Sequence, residues 1–390
     1  MRDAYLLGAG QSDFGAFPER SYRTLFRDAF EATLSAVPDE FEADRIDEAV
    51  VGTLGVGGRQ IGLSGPAVTE HVGLHGVPCT RVENACAAGG YAVRQAVQAV
   101  RSGMADVVLA GGFESMTDVS SDAVRYWLGV SGDTEYERLA GTTFAGVYAQ
   151  MTDAHMRTYG TTPEHLAHVS VKNHANGAHN PHAHLGFECS LDDALDAPTV
   201  ADPLTVYHCC PVSDGAACAF VVSETVAREF TDTPIRVAGV GASSDRVGLA
   251  QRETYTAVPA SRRAAETAYD DAGLRAADLD FAEVHDCFAI AELLAYADLG
   301  FCAPEEAGEL VADGETALDG SLPVNTSGGL KSKGHPIGAT GVGQVAEAFA
   351  QLTGTGGERQ VDDATVGLTH NVGGSGGAAV VHVFEREGAA

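Results

Sequence analysis

The sequence predicts an α/β fold built twice over. Two mostly parallel-sheet halves pack in layers, and a loop subdomain is inserted into the first. Three observations carry this expectation. Strand-like apolar runs alternate with amphipathic helical runs from one end of the chain to the other, the pattern of sheets covered by helices on both faces. Two of the helical runs share one apolar stripe: Val93, Ala96, Val97 and Val100 follow Cys86 at the same spacings at which Val342, Val345, Ala346 and Phe349 follow His335. Finally, the stretch 118–213 breaks the alternation, after which DGAACAFVVSE at 214–224 resumes a strand that resembles GGAAVVHVFE at 376–385.

Taken in order, AYLLGAG at 4–10 and IRVAGVG at 235–241 read as the first strand of each half. EAVVGTLG at 48–55 and FAEVHDCF at 281–288 read as the second. Next comes the repeated unit. TRVENACAAGGYAVRQAVQAVRSG at 80–103 is a short strand, a corner at Cys86 and a helix with the i, i+3, i+4, i+7 stripe. PVNTSGGLKSKGHPIGATGVGQVAEAFAQLTG at 323–354 repeats strand, Gly-rich corner and helix. ADVVLAGGFESM and DATVGLTHNVGGSGG follow as further strands. The expected domains are therefore 1–117 with 214–234, an inserted subdomain at 118–213, and 235–390. No low-complexity linker separates the halves, so they are expected to pack closely.

Charge and composition narrow the function. The net charge is −30, spread along the chain, which repels nucleic acid. No run approaches the length of a membrane span. The N-terminus, MRDAYLLGAGQSDFG, does not read as a signal peptide. Eight irregularly spaced cysteines read as reduced thiols of a cytoplasmic protein. Only Lys172, Lys331 and Lys333 are lysines, while arginine is not depleted. Such a surface matches a halophilic cytosol, where concentrated salt screens self-repulsion. The histidines of HANGAHNPHAHLGF at 174–187 come without an HExxH helix, and their spacing suits a loop, so no metal is expected.

In parallel α/β sheets, ligands bind beyond the carboxyl ends of the strands. Cys86, the pair His285 and Cys287, His335, and the loop 370–377 all fall at such ends, and a pseudo-twofold would bring them together. Cys86 opens a helix, whose free N–H groups are expected to lower its thiol pKa. His335 precedes Pro336, a residue suited to a helix start, and an imidazole there could take a proton from Cys86. HNVGGSGG can supply N–H donors to an oxyanion. From the residues alone, Cys287 could be buried filler, a metal ligand or part of a reaction.

NACAAGG at 84–90, GHPIGATG at 334–341, DGAACAF at 214–220 and GGSGG at 373–377 resemble the thiolase superfamily, along nearly the whole chain. HDCF at 285–288 resembles the branch containing the thiolase domain of sterol carrier protein X and the archaeal acetoacetyl-CoA thiolases; other thiolases carry Asn-Glu-Ala-Phe there. The resemblance implies a duplicated thiolase fold and ping-pong acyl transfer through a Cys86 acyl-enzyme, with His335 as its base. Other thiolases carry a second catalytic cysteine in a Cys-x-Gly loop near the C-terminus. Here that place reads His370-Asn371-Val372, and no cysteine follows Cys302. The resemblance therefore gives Cys287 the handling of the substrate α-proton. It sets His285 where an asparagine orients a water, with His335 holding the thioester oxygen, and it places His370, Asn371 and Gly373 at the pocket or oxyanion site.

Coenzyme A thioesters are the implied substrates, with no permanently bound cofactor. Phosphates of CoA need local cations on so acidic a chain. Lys331 and Lys333 flank the GHP corner, and Arg246 and Arg252 lie in SSDRVGLAQRE with Ser243 and Ser244, in a loop of the kind that contacts pantetheine in the family. A homodimer or homotetramer is implied, together with a small, zinc-bearing OB-fold partner. The competing expectations are a β-ketoacyl or hydroxymethylglutaryl-CoA synthase-like enzyme and a non-catalytic acyl-CoA or lipid binder.

Overall fold

The computed structural model describes residues 2–38 and 40–388. The first half runs β1 (Ala4–Gln11), α1 (Tyr22–Ser35), β2 (Glu48–Gly52), α2 (Ser64–His71), β3 (Cys79–Val82), α3 (Ala88–Ser102) and β4 (Val107–Glu114). Residues 115–214 then hold α4 (Ser121–Leu128), α5 (Phe144–Tyr159), α6 (Pro163–Ala178), α7 (Leu191–Leu195) and the small hairpin β5 (Thr199–Ala201) and β6 (Leu204–Thr205). β7 (Gly215–Ser223) returns to the first half, and α8 (Glu224–Phe230) leads out of it. The second half runs β8 (Ile235–Ser244), α9 (Pro259–Ala272), β9 (Phe281–Glu283), α10 (Ala289–Asp298), α11 (Ala307–Ala312), α12 (Gly329–Ser332), α13 (Ile337–Thr353), β10 (Val366–Gly373) and β11 (Ala378–Arg386).

The main sheet has nine strands in the order β3-β2-β4-β7-β1-β8-β11-β10-β9. Its midpoint is the short β1–β8 ladder, Tyr5 opposite Arg236 and Leu6 opposite Ile235. Outward from there the two halves repeat one order, and Val324 bridges Ala282 where β3 lies beside β2 in the first half. The duplication is thus present in the topology. Strand direction differs from the expected mostly parallel sheets. β2 is parallel to β3 and β4, and β9 to β10, but the ladders β4–β7, β7–β1, β8–β11 and β11–β10 are antiparallel. The cause is local for β10 and β11: residues 374–377 make too short a link for anything but a hairpin.

The layers follow from which faces are apolar. α3 and α13 lie against each other between the halves, and their predicted stripes are buried there with Ala217, Val221 and Phe384 of the strands. α1 covers the outer face of the first half through Phe26 and Phe30, and α9 covers that of the second through Ala264 and Ala268. α3 and α13 approach so closely that their facing residues must be glycine. A Cβ on Gly89 would sit 2.6 Å from the Gly338 carbonyl, and one on Gly341 would run into the Gly90 backbone and the Asn371 side chain. Gly341→Ala is expected to lower stability by about 1–3 kcal/mol, measured by urea unfolding in high salt, because neither backbone can yield without moving the other helix. Among the described residues no helix is long and apolar enough to cross a membrane.

Candidate active site

The two helix starts that face each other carry Cys86, two residues before α3, and His335, two residues before α13. Glu114, at the end of β4, ties the start of α13 to the loop after β2. Its buried carboxylate accepts the N–H groups of Leu54, Gly55 and Val56 after β2 and that of Gly338 in α13. His285 and Cys287 arrive from the end of β9, and Gly374 from the turn after β10. A cavity of about 130 Å³ opens where they meet, lined by Cys86, Cys287, His335 and Gly374 with apolar walls from Met116, Phe144, Phe288 and Ile337. The sulfur of Cys86 and one ring nitrogen of each of His285 and His335 lie within 4.8 Å of one another. The two rings meet edge to face, centroids 5.2 Å apart.

Hydrogen bonds assign the imidazoles opposite roles. We assign the Thr340 hydroxyl hydrogen to the Pro336 carbonyl, 3.0 Å away, which makes His335 Nδ1 the donor to Thr340 Oγ1 at 2.7 Å. Its Nε2 then carries a lone pair. Conversely, the Gly90 N–H donates to Asn371 Oδ1 at 3.2 Å, which turns Asn371 Nδ2 to donate to His285 Nδ1 at 3.1 Å. The proton of His285 therefore sits on Nε2. Both Nε2 atoms are buried without a protein partner. One base and one N–H donor thus face Cys86. This assignment also bears on metal binding. Only Cys86 and His335 offer electron pairs, since His285 presents a hydrogen, so the trio as built does not fit a metal ion.

Residues 5–225 match the family model described as thiolase, N-terminal domain, and residues 241–386 match the one described as thiolase C-terminal domain-like. The chain belongs to the thiolase family. It is 43% identical to acetyl-CoA acetyltransferase of Methanothermobacter thermautotrophicus over 99% of this chain and 100% of that one. It is 34% identical to human sterol carrier protein 2 over 99% of this chain and 72% of that one. Among solved structures it resembles one described as "Ltp2-ChsH2(DUF35) aldolase", with a TM-score of 0.85, 26% identity and coverage of 99% and 98%. Human mitochondrial 3-ketoacyl-CoA thiolase in complex with CoA shares the fold at a TM-score of 0.75 and 18% identity, with coverage of 99% and 98%.

In this thiolase, burial sets the protonation states. The Cys86 thiol is pushed up to about 12 by desolvation, then by the neighbouring Cys210; the Gly374 N–H and its own N–H pull the other way. The expected lowering by the helix N-terminus is overturned, because two N–H groups do not offset the loss of water in an apolar cavity. Burial pushes His335 down to about 3 and His285 well below the ordinary histidine range. Cys287 is raised by burial and partly lowered by the Tyr148 hydroxyl. Thiol and imidazole therefore rest neutral. Alkylation of Cys86 by iodoacetamide is expected to climb about tenfold per pH unit from about pH 7 to pH 10. A plateau near neutrality would instead reveal a standing thiolate–imidazolium pair.

The remaining sequence candidates divide clearly. Asn371 holds His285, as described. His370, its neighbour in β10, points to the opposite sheet face, with Nε2 2.7 Å from Ser261 Oγ of α9. The Gly373 carbonyl accepts from Gly376 and Gly377 inside the turn, and the N–H aimed at Cys86 belongs to Gly374 instead. The expected cationic patch for CoA is largely corrected. Lys331 and Lys333 are each 1% exposed, and Lys333 Nζ donates to the Gly343 carbonyl beside Glu283. Arg252 is buried too, donating to the Ser375 carbonyl and hydroxyl and to the carbonyls of Arg246 and Val247, so it clamps the Gly-rich turn. Ser243 Oγ accepts from Arg263 Nε and the Ser244 carbonyl from Arg263 Nη2, which ties both serines to α9. Of the four cations expected to meet CoA, Lys331, Lys333, Arg246 and Arg252, only Arg246 is exposed.

Asp286 turns away from the cavity. It accepts the Leu330 and Lys331 N–H groups and the Asn173 amide, anchoring the segment that leads to His335. Burial and the nearby Glu292 raise its carboxyl to about 7. Sequence reasoning missed Gly374, Thr340, Cys210 and Tyr148. Thr340 lies inside the quoted GHPIGATG run, and its place five residues after His335 is the one signal that could have marked it.

Proposed function

We propose that this thiolase catalyses the reversible Claisen condensation of two acetyl-CoA molecules to acetoacetyl-CoA and CoA, and that it works in the cytoplasm without a bound cofactor. The observation that carries the reading is Cys86 facing the bare Nε2 of His335 in a small apolar cavity. As Cys86 attacks the thioester carbonyl, its proton passes to His335 Nε2, and the new imidazolium N–H then donates to the carbonyl oxygen. The Gly374 and Cys86 N–H groups stabilise the tetrahedral oxyanion. CoA leaves with the proton, and acetyl-Cys86 remains. Cys287 gives its thiol proton to solvent, and its thiolate then removes a methyl proton from the second acetyl-CoA. The His285 Nε2–H holds the enolate oxygen while the carbanion attacks the acetyl group; the C–S bond to Cys86 breaks, and the proton now on Cys287 passes to the Cys86 sulfur, restoring the thiol that CoA left with.

The cavity of about 130 Å³ suits a short acyl group. It shares Leu128, Phe144, Val212 and Phe288 with an outer chamber of about 450 Å³, whose wall also carries Arg125 and Arg138. That chamber is the route we assign to pantetheine, with these arginines and Arg246 offsetting the phosphates. Two further parts of the reading concern assembly. Thiolase subunits pair as homodimers or homotetramers, and a small OB-fold partner covers the chamber mouth. The neighbour whose description joins two components, one of them DUF35, supports such a partner. So do the exposed Tyr136 and Leu139 beside the mouth.

Thiolysis of acetoacetyl-CoA by CoA, measured as product acetyl-CoA in concentrated potassium chloride, tests the reading. CoA-dependent cleavage is the expected result. Decarboxylation of malonyl thioesters without such cleavage would favour the synthase-like alternative, and binding without turnover would favour the acyl-CoA binder.

A further inference from the structure

Tyr148 is a large polar side chain that the mechanism above leaves without a task. It comes from α5, in the insertion, and is only 2% exposed. Its ring stacks on Phe288, the residue after Cys287, with centroids 4.5 Å apart and planes 23° apart. Its hydroxyl donates to the Gly374 carbonyl at 3.2 Å and is near enough to the Cys287 sulfur to lower that thiol's pKa. The N–H of the same residue, in the preceding peptide unit, points at Cys86. One hydroxyl therefore bonds a carbonyl of the turn and lies beside the thiol assigned to the α-proton.

We propose that Tyr148 is a positioning residue for the α-proton step: its hydroxyl swings from the Gly374 carbonyl to the Cys287 sulfur when that sulfur is anionic, and returns when it is protonated. The inference rests on the reading of Cys287 given above. Three physical points support it. A thiolate in an apolar cavity is stabilised by each donor it gains; the Cys210 N–H is already taken by the Cys287 carbonyl, which leaves the Phe288 N–H and the Tyr148 hydroxyl to serve the sulfur. Stacking on Phe288 fixes the phenol ring, so its hydroxyl can exchange acceptors by rotation of the C–O bond alone. A Tyr hydroxyl also has one hydrogen, so donation to sulfur and to the carbonyl are alternatives, which suits a group that must serve one protonation state and release the other. The step balances simply. The methyl C–H bond of acetyl-CoA breaks, the S–H bond of Cys287 forms, and the electron pair stays on carbon as the enolate.

Deuterium uptake reads this step directly. Wild-type protein incubated with acetyl-CoA in heavy water should place deuterium in the methyl group, and Cys86 acetylation is followed by mass in the same samples. Tyr148→Phe keeps the stacked ring. It is expected to slow methyl exchange by about 10–100-fold with the extent and rate of Cys86 acetylation unchanged, and to move the pH dependence of exchange to higher pH. Exchange at the wild-type rate would overturn the inference, as would an equal loss of acetylation and exchange. Cys287→Ala separates this outcome from failure of the underlying reading. If that variant exchanges normally, Cys287 is not the base, and the role of Tyr148 falls with it. If exchange is lost there but kept in Tyr148→Phe, only the role of Tyr148 falls.

Discussion

Cys86→Ala is expected to remove acetoacetyl-CoA thiolysis and synthesis together, with kcat lower by on the order of 10⁴-fold or more. The size of the loss follows from the geometry. The site holds a base at His335 and the Gly374 N–H for the acyl group on Cys86, and an N–H donor at His285 for the enolate that attacks that group. Without the sulfur no acyl-enzyme forms for the enolate or for CoA to attack, and the neighbouring thiols do not substitute. Burial raises the thiol of Cys210 far above the ordinary range, and Cys287 is raised as well, with no imidazole lone pair assigned to either. The steady-state rate of CoA-dependent cleavage checks this. A residual rate within about tenfold of wild type would mean that acyl transfer runs through another group.

Cys287→Ala is expected to separate the two half-reactions. Loss of a general acid–base typically costs about 10²–10⁴-fold, and here the loss should appear in condensation and thiolysis, while acetyl transfer from acetyl-CoA to Cys86 proceeds. The variant should therefore accumulate acetyl-enzyme and stop. The separation depends on position. Cys287 and Cys86 line the same cavity, but the base that serves Cys86 is His335, which enters it from a separate element, the corner before α13. Single-turnover acetylation and steady-state condensation on the same preparation measure both halves. Parallel loss of both would place Cys287 in acylation as well.

The parts of the account legible in the sequence are those repeated in it. Cys86 and His335 could be paired because apolar stripes of the same spacing follow them, and the spacings match because both helices pack on each other between two equivalent sheets. The strand directions were not legible, since a small-residue strand reads alike whether its partner is parallel or antiparallel. Lys331, Lys333 and Arg252 were misplaced for a related reason. Sequence reasoning puts long cations at the surface, but these lie in the interior: backbone carbonyls accept from Arg252 and Lys333, Glu283 faces Lys333, and Lys331 sits near Asp286 and Glu292 with no hydrogen-bond partner for its Nζ among the described residues. Tyr148, Phe144 and Met116 come from or border the insertion, which has no periodicity to mark its inward face. Their positions emerge only from how that segment folds over the turn at Gly374.

The central claim is an acyl group carried on Cys86 in a cavity assembled from both halves. Intact mass after incubation with acetyl-CoA in concentrated potassium chloride tests it most directly, with wild type, Cys86→Ala and Cys287→Ala side by side. The account expects one added acetyl group on wild type and on Cys287→Ala, and none on Cys86→Ala. An adduct that persists on Cys86→Ala, or turnover by a wild type that never carries one, would contradict it.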